Sequence, residues 1–216
     1  MKILIASKNP HKISKITQIL QNLQKENQNN SINSTQKYNQ NLQNLKIESL
    51  LTFEALEIEE SGETFGANAR LKAKSLSQNY DGLVIATDGG AIIPALPDWN
   101  ALHTKRFLGA NKTDNERVEG ILELMKNKTD RRIWFVEVFV VFGNSQKLLE
   151  VETVSPVGIL AEKWDGRIQF GAYLLALWYL PNYSKMFFDL TLEEVEKEEN
   201  TWRILENSLR KFFDKI

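Results

Sequence analysis

The chain has 216 residues, 42% hydrophobic and 25% charged, with 27 Lys and Arg set against 28 Asp and Glu. A net charge of −1 announces neither nucleic acid nor an anionic membrane surface as a partner. The absence of Cys removes disulfides, thiolate metal sites and Cys nucleophiles together.

The opening MKILIAS lacks the long apolar core of a signal peptide and reads directly as a strand. The longest apolar run, Ala172 to Leu180, is far short of the ~20 residues a spanning helix needs. The expectation is a cytoplasmic protein with no membrane and no nucleic-acid partner. Ile3, Leu4, Ile5 and Ala6 do not alternate with polar residues, as expected of a strand buried on both faces. The strand ends in Ser7-Lys8-Asn9-Pro10-His11-Lys12, after which Ile13, Ile16, Ile19, Leu20 and Leu23 recur at helical spacing. A strand, a short turn and a helix start make an anion site, because unpaired N–H groups point outward there. Ser7 and Asn9 add side-chain donors and Lys12 adds charge. No G-x-x-x-x-G-K-[ST] loop occurs, and a capped helix start with a solvated lysine fits these residues equally well.

From about 21 to 45 the composition turns to Gln and Asn, which predicts a disordered or loosely ordered insertion. Apolar residues return with a second strand expected around Lys46 to Phe53. Thr64 then reads as the N-cap of an Ala-rich helix on which Asn68 and Lys72, four apart, share a face. LVIATDGG (83–90) reads as a buried strand that runs into Asp88, with Gly89 and Gly90 forming a turn behind it. A carboxylate just past such a strand end lies where open α/β sheets place their ligands.

Thr113 and Glu116 form a capping box, and Thr191 and Glu194 a second. RRIWFVEVFVVF (131–142) is apolar on both alternations apart from Glu137, a central-strand pattern. Segments 147–154 and 157–161 read as strands paired antiparallel about Ser155-Pro156, since no helix separates them. Residues 170–180 cannot be typed by periodicity. Trp202, Leu205, Leu209 and Phe212 form the core-facing stripe of a last helix.

Four stretches in this order resemble the Ham1/inosine triphosphate pyrophosphatase family. ASKNPHK is similar to its A-[ST]-x-N-x-x-K, and EESGETFGANARLKA to its E-E-T-G-x-T-F-x-E-N-A-x-x-K-A. VIATDGGAIIPAL is similar to A-D-D-S-G-L-x-V-x-A-L, and HTKRFLG to Y-S-A-R-Y-x-G. RRIWF further matches R-x-A-x-F. The likeness covers most of the chain outside the Gln/Asn segment and fades after about Gly158.

The resemblance implies an α/β protein of 1–216 as a single domain, with a long, mixed, curved sheet flanked by helices and two lobes around a cleft. It implies a homodimer that uses Mg²⁺ to hydrolyse non-standard purine nucleoside triphosphates to monophosphate and pyrophosphate. Position by position, Ser7, Asn9 and Lys12 would hold phosphate, with Asn68 and Lys72 supporting it. Glu60 and Asp88 would hold Mg²⁺ or orient the attacking water, so Asp88, Lys12 and Lys72 are the catalytic candidates. Arg106, Phe170, Lys197, Trp202 and Arg203 match substrate-binding positions.

The departures fall mainly on the base-reading half. The family's paired aspartates are Thr87-Asp88 here, its following Ser is Gly89, and its Glu before the Asn is Ala67. G-F-G-Y-D-P survives only as Phe170-Gly171-Ala172-Tyr173. S-H-R survives as Thr201-Trp202-Arg203, with Lys197 matching the preceding Lys. A rebuilt base preference is one reading of this pattern. A catalytically weak or inactive nucleotide-binding or interaction protein on the same fold is the other. Glu63 is a candidate replacement for the missing carboxylate, and Trp202 either stacks on a base or packs in the core. A hydrolase using Ser7 with His11 or His103 is disfavoured, because no G-x-S-x-G elbow is present.

Overall fold

Strand alternation decides which helix covers which face of the sheet. The computed structural model describes residues 1–33, 40–53, 58, 60–97, 99, 109, 111–169, 171–198 and 200–216. β1 (Lys2–Ala6) sends Ile3 and Ile5 to one side and Leu4 and Ala6 to the other, all buried. The first side is covered by α1 (Pro10–Asn33) and by the last helix, Asn200–Phe213, through Ile16, Leu20, Leu205, Leu209 and Phe213. The second is covered by α3 (Phe65–Ser77) through Ala69, Ala73 and Leu76. Burial on both faces is why the β1 sequence shows no polar alternation.

β1 pairs in parallel with β2 (Lys46–Ser49) and with β3 (Leu83–Ile92), in register from Lys2 opposite Lys46 and from Ile3 opposite Leu83. Parallel neighbours need crossover connections. α1 and the one-turn α2 (Gln40–Gln43) connect β1 to β2, and α3 connects β2 to β3. Further along lie α4 (Asp114–Leu124), β4 (Arg132–Gly143), β5 (Gln146–Val154), β6 (Gly158–Leu160), β7 (Trp178–Leu180) and β8 (Lys185–Met186). α5 (Leu192–Glu198) and α6 (Asn200–Phe213) close the chain. The sheet order is β2-β1-β3-β4-β6-β7-β8, with β5 also paired to β4. The architecture is therefore mixed α/β, an open sheet flanked by helices, parallel at β2-β1-β3 and antiparallel at β4-β6-β7-β8.

The chain divides into two compact units. One comprises Met1–Asp88, Val138–Thr153 and Thr201–Ile216, the other Gly89–Glu137 and Val154–Asn200. The second has its own core, in which Val118, Ile121, Met125, Ile133, Leu160 and Leu177 are all wholly buried. Within it the Arg131 guanidinium donates to the carbonyls of Leu160, Met125 and Ala161, which fixes the start of β4. Both capping boxes form: Thr113 with Glu116 opens α4, and Thr191 with Glu194 opens α5.

Four expectations are corrected. The Gln/Asn segment is helical in large part, since α1 continues to Asn33 and α2 follows. Leu23 and Leu42 are buried in the core facing α1, and that tertiary contact offsets a composition poor in apolar residues. β2 stops at Ser49, where the chain turns and the N–H groups of Thr52 and Phe53 both donate to the Ser49 carbonyl. β5 and β6 do not pair with each other; each pairs with β4, and β6 is antiparallel to it at Arg132 and Ile133. Lastly, β3 does not end before Gly89-Gly90 but runs through both to Ile92. Among the described residues no helix is long and apolar enough to cross a membrane.

Candidate functional site

The Ala6–Ala86 pair is the last in the register between β1 and β3. Asp88 thus lies just beyond the carboxyl ends of the parallel strands although β3 itself continues, and this is where such sheets hold ligands. Alternation directs Asp88, like Val84 and Ala86, to the face covered by α3. α3 brings Lys72 to the same place. Its Nζ donates to the Thr87 carbonyl at 2.8 Å and stands 3.2 Å from Glu60 Oε1 and 3.6 Å from Asp88 Oδ1. The Lys72 and Asp88 side chains are only 13% and 14% exposed, against 36% for Glu60.

Thr64 starts α3 by accepting the N–H of Ala67. Asn68, one turn before Lys72, is wholly buried, and its Oδ1 accepts the N–H of Gly62 at 2.7 Å. That bond holds the loop carrying Glu60 against the helix. Asn68 Nδ2 and Asp88 Oδ2 are both buried without a hydrogen-bond partner, and the amide lies close enough to favour the Asp88 charge. Burial pushes the Asp88 carboxyl above its ordinary pKa. Lys72 and Lys12 pull it back, Glu60 pushes it further up, and Asn68 pulls it back.

The Ser7–Lys12 turn is organised by its own polar groups. Ser7 Oγ accepts the N–H of Asn9 at 3.1 Å, and Asn9 Oδ1 accepts that of His11 at 2.9 Å, which caps α1 ahead of Pro10. Those oxygens shape the turn, and a hydroxyl that accepts can still donate its proton elsewhere. Lys12, half-buried in the first turn of α1, is near enough for its charge to act on Asp88.

Thr87 is 3% exposed and, with Ile85, belongs to the face covered by α1 and α6. The position where the family motif carries a second aspartate therefore faces away from Lys72 and Asp88, and Thr87 leaves their grouping with Glu60 intact. Glu63, the suggested substitute carboxylate, is exposed.

Trp202 is half-buried against the core. Its ring meets His11 edge-on at 5.9 Å and Phe139 at 5.4 Å, contacts that pack it against the core. Arg203 is exposed, and Lys197 is exposed and paired with Glu193 at 3.0 Å. Arg106 and Phe170 lie outside the described residues. Beside Phe170, the backbone N–H of Gly171, at φ 77°, donates to Asp114 Oδ2, whose other oxygen accepts from the Arg117 guanidinium. Asp114 carries one local signal in the sequence, its place directly after the capping Thr113.

Gly89 has a steric reason. A Cβ there would stand 2.4 Å from the Val136 carbonyl oxygen and 2.5 Å from Glu137 Oε2. Gly89→Ala is expected to cost on the order of 1–3 kcal/mol of unfolding free energy in urea. A cost under ~0.5 kcal/mol would mean that β4 gives way freely.

The sequence profile of the Ham1 family matches residues 3–204. A Bacillus cereus protein named dITP/XTP pyrophosphatase is 32% identical over 177 residues, covering 80% of this chain and 83% of its own length. One from Halalkalibacterium halodurans with the same name is 29% identical over 174 residues, covering 80% and 88%. Two solved structures share the fold: a HAM1 protein from Coxiella burnetii (TM-score 0.74, 22% identity) and the Ham1 protein of Staphylococcus aureus (TM-score 0.73, 24% identity). Each match covers 98% of this chain and 99% of the other.

Proposed function

Since the chain belongs to the Ham1 family, we propose that it is a nucleoside triphosphate pyrophosphatase that releases pyrophosphate and a nucleoside monophosphate from non-standard purine triphosphates. The single observation that carries this is the half-enclosed grouping of Lys72, Glu60 and Asp88 at the carboxyl ends of the parallel strands. Cations there meet the charge of a triphosphate, and a carboxylate meets the water that attacks it.

A divalent cation fits these residues. Asp88 Oδ2 is buried without a hydrogen-bond partner, which an oxygen-seeking ion would supply. Among the described residues no group of three or more His, Cys, Asp or Glu is placed to hold a metal. Glu60 and Asp88 would be two protein ligands, a number that suits Mg²⁺ when water and phosphate oxygens supply the rest. A cation held there would neutralise charge on the triphosphate and polarise the phosphoryl oxygen.

In this reading Glu60 and Asp88 would hold the cation or orient the attacking water and take its proton. Lys12 and Lys72 hold phosphate oxygens, and the Ser7–Asn9 turn presents its donors to the rest of the chain of phosphates. Asn68 positions the Glu60 loop. Homodimer formation and a cytoplasmic location accompany the proposal.

Base recognition differs from the family pattern, because Trp202 packs on Phe139 where a hydrogen-bonding His would read the base. The test is a panel of nucleoside triphosphates, including those of inosine, deoxyinosine and xanthosine, ranked by kcat/KM with pyrophosphate identified as product. Purine triphosphates with a 6-oxo group should head the ranking, by less than in a site that hydrogen-bonds the base edge. Equal turnover of all bases would remove the base preference from the proposal. Nucleotide-induced thermal stabilisation with no turnover would favour a binding protein.

A further inference from the structure

Lys72 Nζ donates to the Thr87 carbonyl at 2.8 Å and is ion-paired with Glu60 Oε1 at 3.2 Å and Asp88 Oδ1 at 3.6 Å, so a carbonyl and two carboxylates satisfy the ammonium. The side chain is 13% exposed, so little water shares this task. The two carboxylates that would receive a divalent cation are thus already held by an ammonium of this chain. Beside them the wholly buried Asn68 leaves Nδ2 unbonded, and Asp88 leaves Oδ2 unbonded.

We propose that Lys72 is a resident counter-ion which competes with the divalent cation for Glu60 and Asp88, and which yields only when a triphosphate offers it new acceptors. The inference rests on the pyrophosphatase reading and adds an order to it: free metal is admitted poorly, and metal and triphosphate are taken up together. The physics is that of like charges in a partly desolvated place. A cation taking both carboxylates in the absence of nucleotide leaves the ammonium without two ionic partners and facing a second positive charge. Phosphate oxygens remove that penalty, because the lysine stem turns its head to them while the carboxylates pass to the metal. Metal and triphosphate then favour each other's binding, and the favour is reciprocal. Lys72 thereby also holds two carboxylates together that would otherwise repel.

The test is the binding of Mn²⁺ alone to the intact chain, followed by electron paramagnetic resonance and calorimetry without nucleotide. The unaltered chain should bind free Mn²⁺ only weakly. Lys72→Met should bind it about tenfold tighter, while Lys72→Arg, which keeps the charge, should resemble the unaltered chain. Adding Asp88→Asn to Lys72→Met should cancel the gain. Lys72→Gln, which keeps a donor for the Thr87 carbonyl, serves in place of the Met variant if that variant does not fold. Micromolar binding of free Mn²⁺ by the unaltered chain overturns the proposal, a result that needs no variant. So does a neutral variant that binds Mn²⁺ no more tightly. Metal binding is read here without turnover, so an inactive but metal-guarded protein would refute the proposed function and leave this inference standing.

Discussion

Replacing Asp88 by Asn is expected to lower turnover by about a thousandfold or more, with the melting temperature unchanged or raised. Most surface or core substitutions that abolish activity do so by unfolding the chain; this one should not. The Asp88 carboxyl is mostly buried and its pKa is raised, so the folded state favours its protonated form. Such a group contributes stability at low pH, and the contribution is lost as pH rises through its raised folded value. At neutral pH the ionised Asp88 is therefore a cost to the fold that the amide does not carry. Lys72 keeps the Thr87 carbonyl and Glu60 when Asp88 is neutralised, so no buried cation is stranded. Thermal melts of both proteins at acid and neutral pH, beside their turnover, check this. A variant melting several degrees lower at neutral pH would make Asp88 a structural residue.

Phe139→Ala should be the most destabilising of the substitutions considered, at roughly 3–5 kcal/mol. Phe139 is 1% exposed, on the β4 face covered by α1 and α6, within the cluster that includes Ile5, Leu20, Leu205 and Phe213. Truncation leaves a cavity among helices that cannot all collapse into it. Its ring also supports Trp202, which in turn meets His11 at the start of α1. The cavity should therefore loosen the Ser7–Lys12 turn as well, and raise KM for a triphosphate in whatever fraction stays folded. Urea denaturation measures the first effect and steady-state kinetics the second. A loss under ~1 kcal/mol would show that this face repacks around the gap.

Local rules carried most of the elements. β1 was legible because four consecutive apolar residues admit few readings other than a strand buried on both faces. α3 and α4 were legible from Thr64 and from the Thr113–Glu116 box, and α6 from its stripe of Leu205, Leu209 and Phe212. Asn68, Lys72 and Asp88 could be singled out because helical spacing and the strand end each place one side of the site.

What was not legible depends on contacts distant in sequence. Gly89-Gly90 has the signature of a turn, yet β3 runs through both to Ile92, and at Gly89 a Cβ would collide with the Val136 carbonyl and Glu137 carboxylate of β4. The Gln/Asn segment has the composition of disorder, yet Leu23 and Leu42 anchor its helices. Asp114 holds Gly171, 57 positions away, and no window of sequence contains both.

The most direct measurement is pyrophosphate release from inosine triphosphate by the intact chain, with Mg²⁺ and with EDTA. Equal amounts of monophosphate and pyrophosphate are expected in Mg²⁺ and neither in EDTA. Orthophosphate as the first product, release undiminished by EDTA, or no turnover by protein shown to be folded would contradict the pyrophosphatase reading.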